Sequence, residues 1–113
     1  MANNFKNAFA STVSTNSASP TDVYTANNGS PINSIAVAIN VSNTDTSALQ
    51  ASVVVYDSSS TSSYHIIKDA PIPAGGALQV VDGKLVLNGD DKIQVYASNT
   101  NVEVIASILE DVT

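Results

Sequence analysis

Residues 70–98, reading APIPAGGALQVVDGKLVLNGDDKIQVYAS, decide the fold of this chain. Three short apolar runs, at residues 77–81, 84–87 and 92–97, stand between turns made of Pro, Gly, Asn and Asp. Ala74-Gly75-Gly76 turns the chain into the first run, and Asp82-Gly83 between the first and second is a two-residue hairpin signal. Asn88-Gly89-Asp90-Asp91 then leads into a run where Ile93, Val95 and Ala97 alternate with Gln94 and Tyr96. Alternation at period two, over runs this short and bounded by turn residues, is the pattern of β-strands.

The same style extends in both directions. Residues 23–26 read as a short strand, followed by the turn Asn27-Asn28-Gly29-Ser30-Pro31. Residues 32–42 carry Ile35, Val37, Ile39 and Val41 on one expected face, with Ala36, Ala38, Asn40 and Ser42 opposite. Residues 49–57 place Leu49, Ala51, Val53 and Val55 in phase, but Val54 and Tyr56 make the other face apolar as well, so this strand is expected to be covered on both sides. Residues 58–63, SSSTSS, are expected to form a flexible, polar loop. Residues 64–72 form a strand that Pro71 confines to an edge or a strand end. Residues 102–110 set Val102, Val104, Ala106 and Ile108 against Glu103, Ile105, Ser107 and Leu109. The sum is an all-β chain of about eight short strands, expected to form an antiparallel β-sandwich or jelly roll over residues 21–113.

Residues 1–20 differ in composition, being rich in Asn, Ser, Thr and Ala. They read as an N-terminal arm, partly extended, that orders on a neighbouring molecule. Phe5, Phe9 and Val13, spaced four apart, are its candidate partner-binding residues, because apolar side chains on a polar arm need something to bury them.

The chain has 113 residues, enough for one core, and 43% are apolar, which places it among globular proteins. It has no cysteine, so disulfide scaffolds and thiolate chemistry are excluded, and assembly in a reducing cytoplasm is favoured. Ten acidic residues against four scattered lysines and no arginine argue against nucleic-acid binding. No apolar run approaches the roughly 20 residues of a spanning helix, and the N-terminal stretch lacks the apolar centre of a secretory signal, so neither membrane insertion nor export is expected.

Reactive groupings are sparse. His65 is the single histidine and falls mid-strand, where a hydrogen-bonded sheet residue is expected. Asp82, Asp90 and Asp91 crowd two turns and could gather calcium, yet their spacing is not that of an EF-hand loop and Asp is an ordinary turn residue. No nucleophile elbow or phosphate loop occurs. Tyr24, Tyr56, Tyr64 and Tyr96 could stack on a sugar but equally suit strand positions. Asn28-Gly29-Ser30 and Asn40-Val41-Ser42 match the glycosylation sequon, a triplet common by chance. The expectation is a non-enzymatic protein without cofactor or metal.

The chain also resembles a family of small virion structural proteins of tailed phages, particularly those infecting marine cyanobacteria. The resemblance runs through MANNFKNAFASTVSTNSASPTDVYTA, SIAVAINVSNTDTS, VVVYDSSSTSSYHIIKDAPIPAGGALQVV, KLVLNGDDKIQVYAS and VEVIASILE. Members commonly carry an Ala-Pro-Ala-Gly-Lys-like turn after the first strand, where this chain has Ala26-Asn27-Asn28-Gly29-Ser30-Pro31. The resemblance implies a β-sandwich made in the host cytoplasm and carried on the phage particle. It would be a capsid decoration or cement protein binding the major capsid protein or other virion proteins, with a trimer as the expected oligomer. A neck, tail or fibre component is the alternative within the virion, and a carbohydrate-binding adhesion module the alternative outside it.

Overall fold

A computed structural model of the chain describes residues 4–26, 33–81 and 83–112. Nine strands and no helix occur among them: β1 Asn4–Ala10, β2 Thr21–Thr25, β3 Asn33–Asn43, β4 Leu49–Asp57, β5 Ser62–Ile72, β6 Ala77–Gln79, β7 Leu85–Leu87, β8 Lys92–Ala97 and β9 Val102–Val112. They form two antiparallel sheets. One has the order β1-β9-β3-β6, with β7 also on β3; the other has the order β2-β8-β4-β5.

β6 and β7 lie end to end along the same edge of β3, β6 against residues 40–42 and β7 against residues 34–36. Counted as one interrupted strand, they leave eight strands whose successive members change sheet everywhere except between β4 and β5. That is the strand order of a jelly roll.

The Asp82-Gly83 hairpin therefore does not form. Gly83 has a positive φ of 93°, as the turn signal requires, but the chain resumes its direction instead of reversing, and the Asp82 half of the signal lies outside the described residues. Two three-residue strands paired only with each other would be marginal. Both find more ladder along β3, an eleven-residue strand, with Val80 N–H donating to the Ile39 carbonyl at 3.0 Å between them.

The inner faces of both sheets meet in one core. Ile93, Val95 and Ala97 of β8, Val102, Val104, Ala106 and Ile108 of β9, and Leu49, Ala51 and Val53 of β4 are all buried, in the phase their alternation predicts. β3 departs from its expected phase. A bulge against β9 between Ala36 and Ala38 adds one residue to β3, and period-two alternation changes face across it. Ala36 is buried before the bulge and Ile39 and Val41 after it, while Val37 points outward and is 39% exposed.

β4 is covered on both sides, as its double apolar pattern predicts: Val54 is buried on the face away from the main core. Pro71 sits on β5, an edge strand, opposite Gln50. The loop after β4, expected to be flexible over residues 58–63, is instead short and tied to Asp57, with Ser62 and Ser63 already in β5. Asp57 accepts hydrogen bonds from the Ser59 and Ser60 hydroxyls at 2.8 and 2.9 Å and from the Ser59 N–H at 3.1 Å. These bonds, the Ser59 hydroxyl first, hold its carboxyl below the ordinary aspartate range.

The segment expected to be an N-terminal arm does not stand apart over its described residues, 4–20. Asn4–Ala10 is a full strand of the sandwich, in unbroken antiparallel register with β9 from Asn4↔Glu110 to Ala10↔Val104. Val13 follows it into the core and is 3% exposed. Next to it, Ser14 accepts from the Ala97 N–H at 2.9 Å, and its own N–H donates to Thr21 Oγ1 at 2.8 Å. The segment is polar because its strand lies at an edge, with Ala8 and Ala10 as its inward apolar side chains.

Candidate functional site

The two sheets present different outer faces. On the β1-β9-β3-β7 side, side chains pointing away from the core fall into register across four strands. Phe5 pairs with Leu109, Leu109 with Ile35, and Ile35 with Val86, giving one continuous apolar row. Four residues along β1, Phe9 pairs with Ile105, starting a second row that ends in Asn40 and Gln79. Between the rows lie Asn7, Ser107 and Ala38.

Phe5 is 85% exposed, Phe9 64% and Val86 58%, with Ile105 close behind. From Phe5 to Phe9, and across Ile105, Ser107, Leu109, Ile35, Val37, Ala38, Asn40 and Val86, no outward position is charged. The frame of this face measures roughly 14 Å across the strands by 13 Å along them, from ordinary strand spacing and rise. A largely apolar, uncharged field of this size on a chain of net charge −6 is the kind of patch that marks an interaction surface. Shallow concavities of about 240 Å³ flank each phenylalanine, one against Ser107 and the other against Ile105.

The three residues expected to bind a partner thus separate. Phe5 and Phe9 share the exposed face, but Val13 is enclosed by its own domain and cannot serve a neighbour without leaving the core. Ile35, Leu109, Ile105 and Val86 join the face without having been singled out as binding residues. For Ile105 and Leu109 a signal was present in β9, where the phase that does not fill the core still carries these two large apolar residues beside Glu103 and Ser107.

The outer face of the β2-β8-β4-β5 sheet mixes aromatic, aliphatic and polar side chains. Residues 17–20 form a wall over it, leaving a depression of about 480 Å³ lined by Val54, Tyr56, His65, Lys68, Gln94 and Tyr96 among others. His65 Nε2 and the Tyr96 hydroxyl are hydrogen-bonded at 2.8 Å, with the rings edge to face, their centroids 5.9 Å apart. Lys92 Nζ lies 5.8 Å from the Tyr56 ring.

The four tyrosines do not form one platform. Tyr56 and Tyr96 line this depression, while Tyr64 is exposed outside it. Tyr24 is buried elsewhere, donating to Glu110 Oε2 at 2.5 Å and lying 3.2 Å from Ser34 Oγ. Since β2 belongs to one sheet and Glu110 and Ser34 to the other, this buried contact ties the sheets together.

The acidic turn is engaged by the protein itself. Asp91 Oδ1 accepts from the Ser58 N–H at 3.0 Å and the Ser58 hydroxyl at 3.1 Å, and Oδ2 accepts from the Asn88 N–H at 3.0 Å. Asp82, the third member of the expected cluster, lies outside the described residues, as does the Asn28 sequon. Asn40 of the other sequon is inside β3, its amide donating to Ser42 Oγ at 3.0 Å. Among the described residues no three His, Asp or Glu side chains stand close enough to share a metal ion, and no helix is long and apolar enough to cross a membrane.

No protein-family model matches this chain, and no curated protein is similar to it.

Proposed function

We propose that this chain is a non-enzymatic structural protein of a phage virion, a decoration or cement protein of the capsid exterior that works as a homo-oligomer. Its chemistry is adhesion. The observation that carries this reading is the outward row Phe5–Leu109–Ile35–Val86, exposed at its two ends and half-buried between them, with Phe9 and Ile105 beside it, a largely apolar field on an otherwise acidic, compact sandwich. A rigid sheet presents such a field at little entropic cost, since its strands are already ordered. Many weak copies of one contact across a shell reinforce it more than their single affinities suggest. Jelly rolls serve capsids but also lectins and cupins, so the fold alone does not carry the function.

The test is co-sedimentation of the purified chain with capsids of the phage encoding it, followed by cryo-electron microscopy of the decorated particle. Binding at every capsomer junction, abolished by Phe5→Ala with Phe9→Ala in a protein that melts normally, is the expected result. Density confined to one vertex or to the tail would give the protein to the neck or fibre instead, and no particle density at all would refute the virion reading. The depression beneath residues 17–20 supports the sugar-binding alternative through Tyr56 and Tyr96, and glycan-array binding lost on Tyr96→Ala would establish it.

A further inference from the structure

Two sheets have four edges, and three of these are blunted against pairing with other chains. β2 is five residues long, carries Asp22 and is bulged at Val23. β5 carries Pro71 and Lys68 and takes two extra residues against β4. β6 and β7 are three residues each and are interrupted around Gly83. Bulges, prolines, charges and short edges are the usual protections of an exposed sheet edge. β1 is the exception. Its seven residues run without a bulge along β9, and among the described residues no strand pairs with its outer side. Its one charge, Lys6, is 3.8 Å from Glu110 of its own sheet.

We propose that β1 is an assembly edge, pairing antiparallel with β1 of a second copy of this chain about a two-fold axis at Asn7. Self-complementarity selects this occupant. Laid antiparallel on itself with all seven residues overlapping, Asn4 meets Ala10, Phe5 meets Phe9, Lys6 meets Ala8, and Asn7 meets Asn7. Full overlap is thus also the register that makes two cross-strand aromatic pairs, a favourable pairing on a sheet face, and brings no like charges together. A slip of two residues either way sets phenylalanine against asparagine. The two-fold axis stands perpendicular to the sheet, so both outer faces lie on the same side. The row Val86–Ile35–Leu109–Phe5 then continues across the seam into Phe9 and Ile105 of the second copy.

A closed trimer would need β1 to meet a different edge, and the other three are blunted; a strand that fits itself makes a two-fold contact. A seven-residue ladder with four partly covered rings buries on the order of several hundred Å², below the roughly 1,200 Å² of a standard interface, so the dimer is weak and reversible. This inference stands apart from the virion reading, because the purified chain alone tests it.

The experiment is sedimentation velocity of the full chain from low micromolar to millimolar concentration. A reversible monomer–dimer equilibrium is expected. Phe5→Lys with Phe9→Lys places like charges opposite one another and should weaken the dimer roughly tenfold or more, whereas Phe5→Lys with Phe9→Glu places opposite charges in register and should hold it within a few-fold of the parent. A monomer throughout, a trimer, or equal loss in both double variants would overturn the proposal. Should a charged variant fail to fold, Asn7→Cys in this cysteine-free chain should give a covalent dimer on mild oxidation, and monomer alone would count against the two-fold.

Discussion

Val13→Ala separates an arm that binds neighbours from a segment that belongs to the fold. Val13 is 3% exposed within the main core, and its N–H donates to the Thr100 carbonyl at 3.4 Å. The substitution leaves that backbone bond in place and removes two methyl-sized groups. At about 0.8 kcal/mol per buried carbon the transfer loss is about 1.6 kcal/mol, and a cavity that only partly collapses brings the total to about 2–3 kcal/mol. For a domain of this size the melting temperature should fall by roughly 8–12 °C. Phe5→Ala, at an outward side chain that is 85% exposed, should cost under about 0.5 kcal/mol. The assay is thermal and urea unfolding followed by circular dichroism, at a protein concentration low enough to keep the chain monomeric. A Val13→Ala protein that melts within about 2 °C of the parent would refute the reasoning, since a free arm contributes nothing to the cooperative transition.

Tyr24→Phe keeps the ring and removes the donor to Glu110, which should cost about 1.5–3 kcal/mol by urea titration, the range for hydrogen bonds to charged groups. Asp91→Ala takes the acceptor from Ser58 and Asn88 at once and should destabilise by about 2–3 kcal/mol, while adding calcium or a chelator to the parent leaves its melting temperature unchanged. Asp57, with a folded pKa below its unfolded value, stabilises the protein above the unfolded pKa, and that contribution is lost as pH falls through the folded one. Asp57→Asn should therefore flatten the acid limb of stability against pH below about 4, measured by urea titration at successive pH values.

The exposed face was half legible in the chain. Phe5 and Phe9 stood out because aromatic side chains among Asn, Ser and Ala call for a partner. Val13, at the same spacing, looked the same and had the opposite fate. Spacing states which residues can share a side, not whether that side finds this chain or another one.

What the sequence by itself determined was the local pattern. Alternation in residues 92–97 and 102–110 set which side chains face inward, Pro71 set β5 at an edge, and the double apolar pattern of β4 called for cover on both faces. What only the tertiary structure decided was partnership. Gly83 signals a turn but not whether the next strand returns along the last one, and here the free edge of β3 captured both β6 and β7. The bulge at Val37 changed the face of every residue before it, although the alternation there runs unbroken through Ile35, Val37, Ile39 and Val41. β1 joined the sheet because β9 had an unpaired edge to offer, a fact held some hundred residues away in the chain. Period two specifies a face. The choice of neighbour is made by backbone hydrogen bonds, which every residue except proline carries alike, and by the packing of a core that exists only once both sheets have closed over it.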